Sequence, residues 1–437
     1  MWAALCTEAR VIRWLDRAAL AATLLLPVFV MHGRAIAEAL IAVVDLCFLA
    51  RSALAGDWRW LRAAWVRIAL LFWGWLMVCS LPGIGIGGTA SFVQAVAFVR
   101  LLLFPAALGY AALADAQARR WLQWVLTASA LYIAFQTVLQ LVTGRDIQGF
   151  PRNGDGELTG PFQHPRAATP LSRLLYPVLL PPVGALLARG GALAWGAAAA
   201  LTAGSVAIIV LIGQRMPLLL TGLGLLVSAL MLRRVRAVAA VAIVVGAVLL
   251  AASAIVEPPT FYRLVTKFSQ QMTDFPDSDY GLIAGRAVAI VAAHPWLGQG
   301  YDGFRNACAD PRYFVVQSWA GQHRAGGGGT AACNIHPHNH YLEAATEAGL
   351  PGLVLFAALV GAWCAGLLRR IGRNPDPRRV GVFAAVLMAE WPIASASNFT
   401  SIEASGFFLI LLGYGLAMAR AAERTSATSP ELSMAST

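Results

Sequence analysis

Apolar residues along the chain come in runs of about 20, separated by shorter connections rich in Arg, Gly and Pro. A run of this length crosses a hydrocarbon layer as an α-helix, and the runs lack the two-residue alternation of membrane β-strands. The pattern therefore predicts an all-α integral membrane protein with about twelve transmembrane helices. The predicted spans are 16–32, 35–50, 63–81, 91–114, 120–143, 169–188, 190–212, 216–232, 237–256, 350–368, 379–397 and 404–420.

Positive charge recurs in every second connection, and almost all of it is arginine because Lys267 is the only lysine. Arginine in short connections marks the cytoplasmic side of a membrane protein. Both termini are therefore predicted to be cytoplasmic. The arginines of this pattern are Arg10, Arg13, Arg17, Arg51, Arg59, Arg62, Arg119, Arg120, Arg189, Arg233, Arg234, Arg236, Arg369, Arg370, Arg373, Arg378, Arg379, Arg420 and Arg424.

The longest polar connection, 257–338, joins the ninth and tenth predicted spans on the extracytoplasmic side. Loops this long are uncommon unless they have a function. Within it, Gly281–Ala293 has the apolar spacing of a helix, and Gly326–Gly329 is typical of a flexible tip. We divide the chain into helices 1–9 (1–256), the loop (257–338), a short helix with helices 10–12 (339–424) and a disordered cytoplasmic tail (425–437).

Composition agrees with a membrane protein, since 58% of the 437 residues are hydrophobic and only 13% are charged. The net charge of +11 is not accompanied by any nucleic-acid-binding motif. It favours contact with anionic membrane lipid or with a phosphorylated substrate. Cys308 and Cys333 lie together in the long loop and would pair in an oxidising compartment, although two unrelated thiols remain the alternative.

Three of the seven histidines, His336, His338 and His340, lie one residue apart where the long loop meets an apolar run. Pro337 favours an extended residue before it, so His336 and His338 are expected to share a face. One imidazole suffices for a general base, whereas a metal site would need ligands that the sequence does not indicate. Imidazoles that only cap a helix are the third interpretation.

Several charged residues lie beside or within apolar runs, where charge usually faces a cavity or a partner. Arg215 begins a span, Arg286 lies on the predicted loop helix, and Arg100 lies inside the fourth span. Two arginines around a histidine would suit a diphosphate leaving group and a hydroxyl nucleophile. Glu390 could instead mark an ion path, which would favour a transporter, or it could pair with an arginine such as Arg100.

Three motifs resemble those of the O-antigen ligase and polymerase superfamily. The first is His336-Pro-His-Asn-His-Tyr-Leu followed by Glu347-Ala-Gly-Leu-Pro-Gly. The second joins Arg286 to His294-Pro-Trp-Leu-Gly-Gln-Gly-Tyr301 and Phe304, and the third is Gly213-Gln214-Arg215, where many members have serine in place of the glutamine. The resemblance is closest over 210–370.

The resemblance implies twelve helices, a large periplasmic loop between helices 9 and 10, and a bacterial inner-membrane location. It implies transfer of a glycan from undecaprenyl diphosphate to lipid A-core by a ligase, with a polymerase or a protein O-oligosaccharyltransferase as alternatives. No cofactor or metal is expected. His338 would be the base, Arg215 and Arg286 would hold the diphosphate, and the expected substrate-binding residues are Gln214, His336, Asn339, Arg100 and Tyr301.

Overall fold

A computed structural model describes residues 2–154, 156–164, 166–314, 316–317, 323–324, 333–372, 374–396 and 398–434, with side chains between residues 8 and 425 outside the two short strands. The first helices are α1 (Trp2–His32), α2 (Arg34–Leu54), α3 (Ala64–Cys79), α4 (Gly88–Ala97), α5 (Val99–Ala107), α6 (Ala116–Thr143), α7 (Ala168–Arg189), α8 (Ala192–Ile212), α9 (Arg215–Met231) and α10 (Arg236–Val256). The others are α11 (Pro258–Phe261), α12 (Lys267–Thr273), α13 (Asp279–Ala293), α14 (Gly303–Ala307), α15 (His340–Leu368), α16 (Pro377–Ala389) and α17 (Ile402–Met434).

Short elements complete the described chain. Single helical turns of the 3-10 type span Arg59–Arg62, Arg233–Val235, Phe275–Asp277 and Pro311–Tyr313, and π-type turns span Leu108–Ala112 and Tyr262–Thr266. The strands β1 (Val316–Gln317) and β2 (His323–Arg324) pair antiparallel in the loop. The Gly326–Gly329 tip lies outside the described residues.

Eight helical segments of the described chain are long and apolar enough to cross a membrane. They are Glu8–His32, Gly88–Ala112, Ala116–Thr143, Ala168–Arg189, Ala192–Ile212, Arg233–Val256, His340–Leu368 and Ile402–Thr425. Helices suit this role because they satisfy their own backbone hydrogen bonds in lipid. The prediction of an all-helical membrane fold is confirmed, while the count of twelve spans stays a prediction.

The other four predicted spans also coincide with helices, but these helices do not meet the same criterion of length and apolar composition. The reason differs from helix to helix. α3 and α9 are apolar but have 16 and 17 residues. α2 has the length but carries four charged side chains, of which Glu38 pairs with Arg100 at 3.0 Å. The predicted helix 379–397 is wrong at its end, because α16 stops at Ala389 and a non-helical segment containing Pro392 follows.

The connections predicted to be extracytoplasmic meet at one end of the helix bundle. The turn near Gly83–Gly88 bonds the long loop through Ile86 N–H and the Gln299 carbonyl at 3.0 Å. Arg152 in the 144–168 connection pairs with Glu257 at 2.6 Å. In the last connection, the Phe399 N–H donates to the Glu343 carboxylate at 3.2 Å. Chain segments distant in sequence therefore form one polar surface.

The long loop contains the predicted helix, which spans Asp279–Ala293 and is capped by the Ser278 hydroxyl. Its own small core packs α13 against α14 and includes Ile283, Ile290, Phe304 and Tyr313. A disulfide joins Cys308 to Cys333. This loop is therefore a packed unit in its described part, rather than an irregular connection.

A sharp bend interrupts α15 at Gly349, where φ is +66° and ψ is −167°. The loop segment that follows α13 lies directly on this bend, since the Leu350 N–H donates to the Pro295 carbonyl at 2.7 Å and the Gln299 N–H donates to the Thr346 carbonyl at 2.8 Å. The bend separates the short helix that begins after Asn339 from the apolar helix that follows. The short helix at the start of the 339–424 segment therefore ends at Gly349.

The last helix, α17, continues to Met434. It therefore extends through most of the segment 425–437, for which the sequence predicts disorder. Residues 435–437 lie outside the described residues.

Replacing Gly349 with alanine should destabilise the protein by about 1–3 kcal/mol, because only glycine adopts this backbone conformation readily. An added Cβ would also lie 2.4 Å from the backbone oxygen of Trp296, which has no room to move aside. Gly361→Ala in the same helix is the matched control, since no atom lies within 4 Å of its Cβ position. Equal thermal unfolding midpoints for the two variants in detergent would contradict this account of the bend.

Candidate functional site

The histidine segment begins α15 and is attached to the connection that follows α16. Asn339 caps the helix, because its side-chain oxygen accepts hydrogen bonds from the Tyr341 and Leu342 N–H groups at 3.0 Å each. Its amide nitrogen donates to the carbonyls of Pro392 at 2.8 Å and Ala394 at 3.3 Å. All four bonds are internal, so the observed role of Asn339 is to shape the segment.

His338 has a left-handed backbone, with φ of +56°. This conformation is uncommon for a residue other than glycine and persists only where the surroundings impose it. Here the Ala396 N–H donates to the His338 carbonyl at 2.8 Å. The expectation of an extended segment is therefore wrong at His338, although the rings of His336 and His338 do lie together, with centroids 4.4 Å apart.

The His338 ring accepts a hydrogen bond from Asn334. The Asn334 Nδ2 and His338 Nε2 atoms are 2.8 Å apart, and the Asn334 Oδ1 accepts from the Ile335 N–H at 2.7 Å. Because that bond assigns the amide oxygen, the nitrogen faces the ring as a donor. His338 Nε2 is therefore the unprotonated nitrogen of a neutral imidazole.

Burial keeps these imidazoles neutral. It lowers the pKa of His338 below its usual value, and a backbone hydrogen bond with Ala396 opposes this effect in part. Burial, with smaller contributions from His338, His340 and Arg166, lowers the pKa of His336 to about 3. Neither ring nitrogen of His336 has a hydrogen-bond partner among the described residues. A positive charge on His336 would therefore be strongly disfavoured.

His340 turns away from this pair into the protein. Its Nδ1 lies 3.0 Å from the Glu390 carboxylate, and both side chains are buried. Tyr341 donates its hydroxyl proton to the Glu390 backbone carbonyl at 2.8 Å. Glu390 thus pairs with a histidine, and Arg100, the suggested partner, pairs with Glu38. Among the residues that the structure describes, no three potential metal ligands come together.

The two candidate catalytic arginines occupy different surroundings. Arg215 begins α9 and donates to the Gln271 side chain while remaining half-buried. Arg286 has no exposed surface, and its guanidinium contacts the disulfide sulfur of Cys333 at 2.9 Å and the Phe314 ring at 4.4 Å. In this arrangement Arg286 serves the packing of the loop, and its role at a diphosphate stays a prediction.

A small cavity of about 20 Å³ lies between α7, the start of α9 and the connection that follows α16. Its walls include Arg173 on α7, Met216 and Pro217 beside Arg215, and Ala396, the backbone partner of His338. The volume suits a single water molecule. A cavity of this volume is too small to hold a diphosphate.

Of the remaining predicted substrate-binding residues, Tyr301 is buried, whereas Gln214 and Arg100 are half-buried. Tyr301 is buried, its N–H donates to the Ser80 hydroxyl at 2.9 Å, and burial raises the pKa of its phenol. Gln214 occupies the position before α9, and Arg100 also donates to the Ala97 carbonyl at 2.7 Å. The structure thus brings together His336, His338 and Asn339, but it places Tyr301 in the core.

Three neighbours of the histidines were not identified from sequence. Asn334 bonds His338, the Tyr280 ring lies 5.4 Å from the His338 ring, and Arg166 is close enough to influence His336 while pairing with Glu403. Of the three, only Asn334 could have been suspected from sequence, because it lies four residues before His338. Tyr280 and Arg166 come from distant segments with no distinguishing motif.

Residues 198–357 match the family model described as O-antigen ligase. This segment runs from α8 into α15 and contains Arg215, Arg286 and all three clustered histidines. Over this segment the chain is similar to the O-antigen ligase family.

The matched segment contains the polar cluster around His338 as well as both candidate catalytic arginines. A comparison with curated proteins finds no match for the chain. Within the matched segment, the left-handed His338 and the capped start of α15 form a polar cluster at the end of a membrane-spanning helix.

Replacing Asn339 with alanine should destabilise the protein by about 1–2 kcal/mol through loss of the helix cap. It should also expose His336, which is 8% exposed, because the segment loses its attachment to Pro392 and Ala394. We expect diethyl pyrocarbonate to modify His336 about tenfold faster in this variant, since a tenfold change needs only 1.4 kcal/mol. The measurement is peptide mass spectrometry after timed modification.

Asp376→Ala is the matched control for this prediction. Asp376 caps α16 by accepting from the Arg378 N–H at 2.8 Å, on a different connection. Its loss should lower the thermal midpoint similarly without accelerating His336 modification. Unchanged His336 protection in Asn339→Ala would contradict the role assigned to the cap.

Proposed function

We propose that the protein is a metal-independent, inverting glycosyltransferase that moves an O-antigen glycan from undecaprenyl diphosphate to a hydroxyl of lipid A-core. The observation that carries this proposal is the neutral His338 imidazole, whose Nε2 lone pair is oriented by Asn334. A neutral imidazole at a polar surface is suited to accept a proton from a hydroxyl. The match of residues 198–357 to the O-antigen ligase family supports the substrate class.

In the proposed step, the acceptor hydroxyl takes the place of the Asn334 amide as the hydrogen-bond donor to His338 Nε2. Its oxygen attacks the anomeric carbon of the donor sugar from the side opposite the diphosphate. The new carbon–oxygen bond forms as the bond from the anomeric carbon to the phosphate oxygen breaks. The hydroxyl proton passes to Nε2, and the electron pair of the broken bond leaves with undecaprenyl diphosphate, so the anomeric configuration is inverted.

Arg215 is the cation best placed for the departing diphosphate. It begins a 17-residue helix, whose N-terminus already favours an anion. The adjacent residues Met216 and Pro217 border the cavity that reaches Ala396 beside His338. Its guanidinium would stabilise charge that develops during departure, an effect worth about 3–4 kcal/mol for a well-placed donor.

Arg286 would contribute to the same transition state only if the loop rearranged around it. In the described arrangement it holds the disulfide and Phe314 together. We therefore propose that its principal role is to support the loop that carries Asn334. Either role would make an arginine at this position necessary for activity.

Membrane orientation follows the arginine pattern. We propose that both termini are cytoplasmic and that His338 faces the periplasm of a bacterial inner membrane. The arrangement would bring the acceptor hydroxyl and the lipid-linked donor to the same membrane face. A diphosphate is already a good leaving group, so this step needs neither a sugar nucleotide nor a metal ion.

His338→Ala and Arg215→Ala should each reduce glycan transfer roughly 100-fold or more, because one removes the base and the other removes charge stabilisation. The measurement is transfer by the purified full chain in detergent, given lipid-linked O-antigen and rough lipopolysaccharide. Activity should persist in EDTA. Near-normal transfer by His338→Ala, or abolition by EDTA, would contradict the proposed mechanism.

Two matched variants control for general damage. His164→Ala removes an exposed histidine, and Arg145→Ala removes an exposed arginine that donates to the Gly149 carbonyl at 3.3 Å. Both should retain activity. The acceptor also distinguishes the alternatives, since a polymerase would extend a second lipid-linked repeat and leave rough lipopolysaccharide unmodified.

A further inference from the structure

A second polar cavity lies at the opposite end of the helix bundle from His338. It has a volume of about 150 Å³ and lies between the end of α2, the turn that follows α5 and residues Arg420 and Arg424 of α17. Glu403, at the start of α17, and Arg420 lie about 25 Å apart along the helix axis at 1.5 Å per residue. The cavity is therefore separate from the proposed catalytic surface.

The cavity has an excess of positive charge. Four arginines line it, Arg51, Arg59, Arg420 and Arg424, with Asp57 as the acidic residue among the lining residues. Asp57 binds Arg59 through both carboxylate oxygens at 2.8 Å, and Asp16 outside the lining pairs with Arg51 at 2.8 Å. Four arginines against two aspartates leave a net charge of +2.

Arg420 is held in position but retains hydrogen-bonding capacity. Its guanidinium carbon lies 3.4 Å from the centre of the Tyr110 ring, and one nitrogen donates to the Gly109 carbonyl at 3.2 Å. A guanidinium has five N–H donors, and no other hydrogen bond of Arg420 occurs in the described part of the chain. The stacked, planar group can therefore present two parallel N–H donors to an oxyanion.

The surrounding residues place the cavity at a membrane interface. Trp60 lines it, and the neighbouring Trp58 is 44% exposed. Tryptophan is enriched at the level of lipid headgroups. Basic pockets between membrane helices at this level are suited to phosphate-bearing headgroups.

We propose that this cavity is a binding site for a phosphate-bearing anion and that its occupant is the headgroup of an anionic phospholipid. The phosphate would accept from Arg420 and from the arginines at the rim, and the rest of the headgroup would lie beside Trp60. Inorganic phosphate shares the same chemistry but has no acyl chains to bring it to the interface. The lipid is the favoured source because the exposed Trp58 lies next to the cavity wall formed by Trp60, which places the cavity at the level of the headgroups.

The test measures thermal unfolding of the purified full chain in detergent at constant ionic strength. Dihexanoyl phosphatidylglycerol, dihexanoyl phosphatidylcholine and inorganic phosphate are titrated separately, because a ligand that binds the folded state raises the unfolding midpoint. Phosphatidylglycerol should raise it with saturation, and the other two compounds should not. If inorganic phosphate saturates equally well, an anion site exists and the lipid assignment is overturned.

Arg420→Gln and Arg59→Gln should each raise the half-saturating phosphatidylglycerol concentration about tenfold, the change expected from losing one charge-assisted hydrogen bond. Arg59 is 80% exposed, so its variant should fold even if Arg420→Gln does not. The matched control is Arg369→Gln, since Arg369 is 70% exposed, pairs with Glu423 and lies outside the lining. Equal weakening by the control, or no saturable response in the unmodified chain, would overturn the proposal.

Discussion

The attachment of the histidine segment to the connection after α16 is the constraint on which the site depends. Asn339 caps α15 and donates to two carbonyls of that connection, while the Ala396 N–H binds the His338 carbonyl. These bonds keep His338 in a left-handed conformation that an isolated chain would rarely adopt. Without them, the imidazole would not be presented to Asn334. Strain at one residue is thus maintained by hydrogen bonds from a segment more than fifty residues away in sequence.

Two polar regions lie at opposite ends of the helix bundle, so the length of the helices separates them. At one end lie the neutral imidazoles of His336 and His338, where we propose that proton transfer takes place. At the other end, Arg420 and its neighbours surround a cavity suited to an anion that remains bound. The buried His340–Glu390 pair lies beneath the first surface and anchors the start of α15 to the end of α16. Both surfaces use arginine, but only the first combines it with an available base.

Much of this architecture follows from local sequence. Apolar runs predict the helices because a backbone that spans a membrane must form its hydrogen bonds internally. Gly349 followed by Pro351 is typical of the bend seen in α15. The partners could not be predicted in the same way. Glu390 pairs with His340 rather than with Arg100, and Arg286 turns to the disulfide, because these contacts depend on how distant segments pack. The left-handed His338 also escaped prediction, because the hydrogen bond that imposes its conformation comes from Ala396, beyond α16.

The pH dependence of glycan transfer tests the central claim most directly. His338 has a lowered pKa, so the midpoint of the acid limb of the kcat/KM profile should lie below pH 6.5, the usual pKa of histidine. The neutral base is then present above the limb and lost as pH falls through it. Asn334→Ala should move the limb to higher pH, because the Asn334 amide donates to the neutral ring and stabilises that form. A limb above pH 6.5 in the unmodified chain, or one that does not move in Asn334→Ala, would contradict the account.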